Sequence, residues 1–382
     1  MKNFTYYNPT RIEFGKGKEK NIGKYISEYG ISKVLIVYGS DRIKQNGLFD
    51  AVAHSLRENG ISFEVLGGVK SNPVLSKVYE GIELTKTKEV EAVLAIGGGS
   101  VLDSSKSIAA GALYEGDVWD FFIGKAIPTA ALRIFDIMTL AATGSEMNNF
   151  AVVTNDKTKE KFSLSGPATF PTVSVINPEL QATVTNDYLA YSAADIFAHC
   201  LDMYFSASYL PEYIAGYVEN ILKTVIRTTE ILLHNPTDYE ARGEFAWAAT
   251  QALNGSTFCG VDGNRYDTHF IEHTLSAEYD IPHGAGLSII VPAWMMWQKS
   301  QFPERLERFA INVFNVQGVD NGILALKQWY QKIGTPITLK EGDIPEKDIP
   351  TLVKKLFRIS RMTGSESVYT EDMIRTVLEY AK

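Results

Sequence analysis

The sequence contains little cysteine and no long apolar run. Cys200 and Cys259 are its only cysteines in 382 residues, too few for a disulfide framework, so a reducing compartment is the simpler expectation. There is no run of about 18 apolar residues, which a membrane span requires, and the segment Met1–Tyr7 lacks the apolar core of a signal peptide. The sequence therefore predicts a cytoplasmic protein with no membrane partner.

The chain also has no excess of positive charge. Its 37 Lys and Arg residues are outnumbered by 45 Asp and Glu residues, which gives a formal net charge of −8. That balance argues against nucleic acid as a partner. Hydrophobic content of 45% and charged content of 21% are typical of a globular protein, and the chain exceeds the size at which one core usually keeps growing. We therefore expect two domains.

Short β-rich runs alternate with helical stretches in the first half of the chain. The run Lys33–Tyr38 has the composition of a buried strand, and Gly47–Asn59 shows helical periodicity. A second helical stretch, Val74–Thr87, precedes a second apolar strand, Glu91–Ile96. This βαβ rhythm predicts a parallel sheet covered by helices on both faces.

The pattern changes after the dipeptide Asn177-Pro178. From about Asn186 the chain consists of successive helical stretches such as Tyr213–Leu233 and Tyr239–Leu253, with little strand signal. We therefore predict an α/β domain over residues 1–180 and an all-helical domain over residues 181–382.

A glycine-rich loop follows the second apolar strand. Gly97, Gly98 and Gly99 are followed by Ser100 and by a helical stretch, so a pyrophosphate can approach the backbone and meet the N–H groups of the helix N-terminus. The loop matches neither G-x-G-x-x-G nor a P-loop, and a plain tight turn would give the same pattern. A second loop, Thr139–Glu146, supplies hydroxyls and another glycine. Together the two loops predict a dinucleotide site.

Four of the six histidines fall into two short segments together with one acidic residue. Asp195 and His199 are four residues apart, so on a helix they share one face, and His269 and His273 repeat that spacing. His283 lies between a proline and a glycine, which predicts a loop. Three imidazoles and one carboxylate suit Fe²⁺, Zn²⁺ or a similar ion, although any one of these histidines alone is more typical of a hydrogen-bonded core residue.

In this combination the motifs resemble those of the iron-containing (group III) alcohol dehydrogenases. The likeness is greatest to the butanol dehydrogenase and broad aldehyde reductase branch. The matching segments are Pro9–Gly15, Gly97–Asp103, Thr139–Glu146, Asp195 with His199, Trp247–Gly255, and His269, His273 and His283.

The resemblance implies a fold and a reaction. The fold is a Rossmann-like α/β dinucleotide-binding domain with a parallel sheet, followed by an all-helical metal-binding domain. The reaction is reversible hydride transfer between NAD(P)(H) and a primary alcohol or aldehyde, with short or medium aliphatic aldehydes as substrates.

The resemblance also implies roles for individual residues. The divalent metal, Fe²⁺ or Zn²⁺, would be held by Asp195, His199, His269 and His283, while His273 would lie near it without binding it. Because the ordinary pKa of an imidazole lies near neutrality, we expect His273 in that position to relay a proton. The cofactor contacts would be Gly98, Gly99 and Ser100 at the pyrophosphate, Asp103, Thr139, Thr143 and Ser145 along the cofactor, Lys161 at the nicotinamide ribose, and Leu180 at the adenosine. For Lys161 and Leu180, a solvated charge and core packing are equally good explanations.

One loop departs from the pattern of the branch. Relatives often carry Gly-Gly-Gly-Ser-x-Lys after the first strand, whereas here the segment is Gly39-Ser40-Asp41-Arg42-Ile43-Lys44, expected near the adenosine 2′ position. Asp41 can accept a hydrogen bond from a 2′-hydroxyl, which favours NAD, whereas Arg42 and Lys44 can attract a 2′-phosphate, which favours NADP. The opposed charges leave only a small preference for NAD.

Other functions remain open at this point. A glycerol dehydrogenase would use the same chemistry on a polyol, and a dehydroquinate-synthase-like enzyme would need several basic residues around an anionic substrate. The segment Phe258–Asp267 has only Arg265. A non-catalytic nucleotide or metal sensor is the alternative from another class. The segment Phe4–Phe14 resembles an edge strand that relatives use in dimer contacts, so we expect a homodimer.

Overall fold

The computed structural model describes residues 1–382, and the chain divides into two compact units. The α/β unit comprises residues 6–184 and 235–255, and the helical unit comprises residues 1–5, 185–234 and 256–382. The sequence predicted two domains in chain order, residues 1–180 and 181–382. In the structure, the segment 235–255 belongs to the α/β unit although it lies in the second half of the chain. Local helical periodicity carries no information about which unit a helix joins.

The α/β unit is built on a six-stranded parallel sheet. Its strands are β1 (Arg11–Phe14), β2 (Lys33–Tyr38), β3 (Ser62–Leu66), β4 (Ala92–Gly97), β5 (Arg133–Met138) and β8 (Val173–Ile176). The spatial order is β1-β8-β5-β4-β2-β3, with every neighbouring pair parallel. A separate antiparallel pair is formed by β6 (Phe150–Asn155) and β7 (Glu160–Ser165).

Helices cover both faces of this sheet. They are α1 (Ile22–Ser27), α2 (Arg42–Gln45), α3 (Leu48–Glu58), α4 (Leu75–Thr87), α5 (Gly99–Ala112) and α6 (Trp119–Phe122). The helix α9 (Tyr239–Ala252) also belongs to this unit. Successive strand residues point to opposite faces. Ile36 of β2 therefore lies in one buried cluster with Val52 of α3, and Val37 lies in another with Ile108 of α5. The prediction of a parallel sheet buried on both faces is confirmed.

The helical unit contains the remaining helices. They are α7 (Asn186–Ser206), α8 (Glu212–His234), α10 (Asp267–Tyr279), α11 (His283–Gln298), α12 (Pro303–Phe314), α13 (Val319–Ile333), α14 (Ile349–Met362) and α15 (Glu371–Tyr380). The predicted all-helical character of this part of the chain is confirmed. No helix in either unit combines the length and the hydropathy that crossing a bilayer requires.

The prediction that His283 lies in a loop was wrong. It is the first residue of α11, and Pro282 occupies the N-cap position, where its missing N–H costs nothing. Gly284 continues the helix because α11 packs closely on α7 there. A Cβ atom at Gly284 would lie 2.0 Å from the backbone oxygen of Tyr191. The glycine thus marks a close contact between helices rather than a turn.

A candidate metal centre and a candidate nucleotide site

Four predicted ligands converge in the helical unit. Asp195 and His199 lie one turn apart on α7, His269 lies on α10, and His283 begins α11. The Nε2 atoms of His199, His269 and His283 lie 3.5, 3.8 and 3.7 Å from Oδ1 of Asp195. These separations are too long for hydrogen bonds. They suit ligands that share one ion, because four atoms placed tetrahedrally about 2.1 Å from a metal lie about 3.4 Å apart.

The unsatisfied atoms of this cluster fit a metal ion. Oδ1 of Asp195 and Nε2 of His269 are buried and have no hydrogen-bond partner. Leaving a buried acceptor unpaired costs about 1–3 kcal/mol, so two such atoms aimed at one point need an explanation. One carboxylate oxygen and three imidazole nitrogens form a donor set typical of Zn²⁺ or Fe²⁺. The residues present therefore fit a divalent transition metal.

Asp202 fixes the orientation of His269. Nδ1–H of His269 donates to Oδ2 of Asp202 at 2.7 Å, which leaves the lone pair on Nε2 directed at the cluster. The same carboxylate accepts from the Thr268 backbone N–H at 2.9 Å and from the Thr268 hydroxyl at 2.8 Å. Tyr266, the N-cap residue of α10, provides no side-chain cap. Asp202 on α7 thus caps α10 and orients its histidine at the same time.

Glu272 plays the corresponding part for His283. Nδ1–H of His283 donates to Oε2 of Glu272, and the Ser276 hydroxyl donates to Oε1. Glu272 is fully buried, and it fits only because residue 286 is glycine. A Cβ atom at Gly286 would lie 2.7 Å from Oε1 of Glu272. Both carboxylate–imidazole pairs place the imidazole proton on Nδ1 and leave Nε2 available as a ligand.

The electrostatics of the cluster also suit a cation. Burial, with the neighbouring imidazoles opposing protonation further, lowers the pKa of His199 to about 3, so that ring is neutral. Burial opposes the charged form of His269 as well, but the neighbouring carboxylates of Asp195 and Asp202 raise its pKa to about 9. Burial favours the protonated form of Asp195, yet the adjacent histidines hold its pKa well below the ordinary value. The carboxylates thus attract one positive charge to this point.

His273 lies beside the cluster. Its ring centroid is 6.2 Å from that of His269 and 5.5 Å from that of His283. Its ligand atom lies within 4.8 Å of those of Glu272 and His283. All five residues that the sequence singled out for metal chemistry are therefore close together.

The predicted nucleotide residues gather at one edge of the parallel sheet. Gly39, Gly98 and Thr139 each follow the carboxyl end of a strand, namely β2, β4 and β5, which are neighbours. Leu180 follows β8 at the same edge and packs partly against the core. The connections reverse direction between β2 and β4, and such a switch point is where open α/β sheets bind ligands.

The two loops at this edge touch each other. A Cβ atom at Gly99 would lie 2.5 Å from Oγ1 of Thr143, and one at Gly98 would lie 3.0 Å from Cβ of Leu140. Gly98 is the N-cap residue of α5, so the first N–H groups of that helix, from Gly99 and Ser100 onward, open at this point. Glycine is needed at Gly98 and Gly99 for this close approach, and the arrangement can receive a pyrophosphate.

Three of the predicted cofactor residues are buried and hydrogen-bonded within the protein. The Ser145 hydroxyl donates to Oδ1 of Asp103 at 2.8 Å, and the Val152 backbone N–H donates to Oδ2 at 3.0 Å. Nζ of Lys161, on β7, donates to Oδ1 of Asn72 at 3.2 Å. Contacts of Asp103, Ser145 and Lys161 with a cofactor stay predictions.

The loop expected near the adenosine is held by its own charges. Oδ1 of Asp41 accepts from the Tyr38 hydroxyl at 3.0 Å and pairs with the Lys44 ammonium at 2.9 Å. The hydrogen bonds from Lys44 and then Tyr38 lower the pKa of the Asp41 carboxyl. Arg42 donates through Nη1 to the Thr183 backbone oxygen at 3.2 Å. Both cations of the loop are therefore engaged within the protein.

Sequence reasoning missed Asp202 and Glu272. Each lies three residues after a ligand on the same helix, His199 and His269 respectively, and therefore on the same face. A carboxylate at that offset from a metal-ligating histidine was a usable signal, because such histidines usually donate their second ring N–H to a carboxylate.

The chain is similar to known proteins over its whole length. Residues 9–178 match the family described as iron-containing alcohol dehydrogenase, and residues 189–381 match the Fe-containing alcohol dehydrogenase family, C-terminal. It is 39% identical over 389 residues to NADH-dependent butanol dehydrogenase A of Clostridium acetobutylicum, with 98% of each chain covered. It is 31% identical to an NADPH-dependent aldehyde reductase of Escherichia coli, with 100% of each chain covered. A crystal structure of NADH-dependent butanol dehydrogenase A from Thermotoga maritima matches with a TM-score of 0.97 at 45% identity, covering 100% of this chain and 99% of that chain.

Proposed function

We propose a metal site and a substrate class for this chain, which belongs to the iron-containing alcohol dehydrogenase family and is an NAD(P)-dependent alcohol and aldehyde oxidoreductase. In this proposal, the divalent metal ion is held by Asp195, His199, His269 and His283. The observation that carries this proposal is the convergence of three Nε2 atoms within 3.8 Å of one buried carboxylate oxygen. We propose short and medium aliphatic aldehydes, such as butanal, and their primary alcohols as substrates, in keeping with the names of these relatives.

In the proposed reaction the metal site and the cofactor-binding loops have separate roles. A divalent ion at the four ligands supplies Lewis acidity toward the oxygen of the alcohol or aldehyde, and the nicotinamide supplies the hydride chemistry. Gly98, Gly99 and Ser100 bind the pyrophosphate through the α5 N-terminus, and the loop from Thr139 to Thr143 lies along the cofactor. Positioning of the reactants is then the main contribution of the protein.

His273 is proposed as the residue that moves the proton. Its ring lies beside those of His269 and His283, and imidazole is the side chain whose ordinary pKa suits proton transfer near neutral pH. It would give a proton to the oxygen during aldehyde reduction and take one during alcohol oxidation.

Two variants separate the ligand role from the proton role. His283→Ala should lose most bound metal and most turnover, because a ligand to the ion is removed. His273→Ala should keep its metal and lose turnover in butanal reduction. His54→Ala is the matched control, since His54 is exposed on α3 and pairs only with Glu58. Metal analysis of the purified proteins tests the ligand role, and the rates of NADH and NADPH oxidation with butanal test the proton role. Full metal content and activity in His283→Ala would contradict the ligand assignment.

NAD is the proposed cofactor in preference to NADP. Asp41 presents a carboxylate in the loop that follows β2, while Lys44 is already paired with it and Arg42 is bonded to Thr183. A 2′-hydroxyl can donate to such a carboxylate, whereas a 2′-phosphate would be repelled by it. The ratio of kcat/KM for NADH to that for NADPH should exceed one, and Asp41→Gly should shift it toward NADPH. An unchanged ratio in that variant would remove Asp41 from the explanation.

We also propose a homodimer in the cytoplasm. β1 lies at the edge of the sheet and pairs only with β8, and Tyr6, Tyr7 and Phe14 in and before it are exposed. An open edge with exposed aromatic side chains favours pairing with a second copy. Light scattering on the purified protein tests the dimer, and cell fractionation tests the compartment. The polyol dehydrogenase and the non-catalytic sensor are not favoured by the relatives.

A further inference from the structure

The α/β unit contains a lysine that is fully buried. Lys106 lies in the middle of α5, and Nζ contacts Oγ of Ser145 at 2.8 Å, the Asn148 backbone oxygen at 2.9 Å, Oδ1 of Asn148 at 3.0 Å and the Phe150 backbone oxygen at 2.8 Å. A buried ammonium is costly unless it is paired and hydrogen-bonded. The four acceptors make hydrogen bonds with Lys106 that a leucine or methionine at this position could not make.

The proton positions around Lys106 are determined by the donors and acceptors. The ammonium donates to Oγ of Ser145, and the Ser145 hydroxyl then donates to Oδ1 of Asp103 at 2.8 Å. Oδ2 of Asp103 accepts from the Val152 backbone N–H. Asp103 needs no proton of its own to satisfy these contacts, and Lys106 is surrounded by acceptors. Lys106 and Asp103, one turn apart on α5, are therefore two opposite charges connected through a serine hydroxyl.

These buried hydrogen bonds join the two segments that carry the loops of the nucleotide site. Asp103 and Lys106 belong to the helix that follows the glycine loop, whereas Ser145, Asn148 and Phe150 belong to the segment that leads from Thr139 to β6. At the glycine loop the same two segments meet through Gly99 and Thr143 with no space for a methyl group. A small displacement of one segment would therefore close or widen the place where a pyrophosphate binds.

We propose that Lys106 is the positioning residue of the nucleotide site: through Ser145 and Asp103 it holds the loop after β5 at the distance from the glycine loop that binding of the cofactor requires. The inference rests on the proposed function, because it takes this edge of the sheet to be the cofactor site. Lys106 does not touch the cofactor, since its side chain is inaccessible. Ser145 connects Lys106 to Asp103 rather than recognising the cofactor.

Fluorescence titration with NADH tests this role on the full-length, metal-loaded protein. Lys106→Met keeps the length of the side chain and removes the charge. We expect its Kd and its KM for NADH to rise roughly tenfold or more, with kcat at saturating NADH within about threefold of wild type, because a misplaced loop weakens binding first. A purely structural defect would lower the active fraction and leave Kd unchanged. A folded Lys106→Met protein that binds NADH as the wild type does would overturn the proposal.

Ser145→Ala keeps the proposal testable if Lys106→Met does not fold. It should weaken NADH binding and increase hydrogen exchange of the amides in residues 139–152, whereas Ser105→Ala, the matched control, should change neither. Ser105 is also buried, but its hydroxyl bonds only to the Val101 oxygen of its own helix. Unchanged binding and unchanged exchange in Ser145→Ala would refute the connection.

The double variant distinguishes the connecting role from direct contact. If Ser145 acts only through Lys106, the Lys106→Met/Ser145→Ala protein should bind NADH about as well as the weaker of the two single variants. Losses that multiply would mean that Ser145 contacts the cofactor independently, and would overturn the assignment. Failure of the wild-type protein to bind either NADH or NADPH would instead refute the proposed function.

Discussion

Asp202 provides the sharpest test of the metal centre, because its replacement by asparagine changes the charge and leaves the size unchanged. In the protein, Oδ1 accepts from the Thr268 backbone N–H, and Oδ2 accepts from Nδ1–H of His269. An amide has only one accepting oxygen. If that oxygen faces His269, the NH₂ group opposes the Thr268 N–H. If the NH₂ group faces His269, the imidazole proton must move to Nε2, where it blocks the ligand lone pair.

The size of the effect follows from these contacts. A hydrogen bond to a charged group contributes about 1.5–3 kcal/mol, and substitution of such supporting residues typically costs about 10- to 100-fold in metal affinity. The loss of a cap at the start of α10 adds about 1 kcal/mol of destabilisation. Asp202→Asn should therefore bind metal about 10- to 100-fold more weakly and unfold at a lower temperature, while its NADH binding stays unchanged.

Competition with a chromogenic chelator measures the metal affinity, and thermal unfolding with and without metal measures the stability. Asp187→Asn is the matched control, since Asp187 is an exposed acid on the same helix. A metal affinity in Asp202→Asn within about twofold of the wild type would show that the carboxylate does not orient His269, and the reasoning about the centre would be wrong.

Three further outcomes are expected. Gly286→Ala should weaken metal binding and destabilise the fold by about 1–3 kcal/mol, because its new methyl group would clash with Glu272. Gly216→Ala, the control, adds a methyl group in open space on α8 and should stabilise the fold by up to about 1 kcal/mol. Denaturant titrations measure both changes. Removal of metal by a chelator should lower the unfolding temperature, and excess Zn²⁺ or Fe²⁺ should restore it; no shift would contradict a bound metal. Burial lowers the pKa of Lys106 to about 8, so between pH 8 and 9.5 the unfolded chain binds more protons than the folded protein does. The free energy of unfolding of the wild type, measured relative to that of Lys106→Met, should therefore rise by about 2 kcal/mol across that interval. A fall over the same interval would contradict the lowered pKa. The ionisable groups that face Lys106 are the carboxyls of Asp103, Asp136 and Glu146.

Much of the fold was predictable because buried parallel strands have a strong signature. Lys33–Tyr38 was predicted with the bounds that the structure shows, and Glu91–Ile96 differs by one residue at each end. After a charged first residue, Lys33 or Glu91, these runs are almost entirely apolar, since both faces of the sheet are covered. The four-residue spacing of Asp195 and His199 likewise predicted their shared face correctly, because helical periodicity is a local property.

What the sequence could not provide depends on tertiary contacts. Pro282 and Gly284 have the composition of a turn, but the glycine is required by the approach of α11 to α7, which no local pattern reveals. The resemblance implied cofactor contacts for Asp103 and Ser145, and only the structure shows that they bond to each other. Lys106 has no signature either, because a lysine on a helix is nearly always solvent-exposed.

The return of residues 235–255 to the α/β unit has a consequence for biosynthesis. The Thr250 hydroxyl of α9 donates to Oε1 of buried Glu146 at 2.5 Å, and the Trp247 ring lies 6.3 Å from that of Phe14 on β1. A ribosome that has translated only as far as residue 180 has therefore not yet supplied the donor that Glu146 needs. Completion of the nucleotide-binding part must wait until α9 has left the exit tunnel, by which time α7 and α8 have already emerged. We therefore expect that cutting the chain between residues 178 and 189, where the two family domains meet, would leave two fragments that do not fold independently.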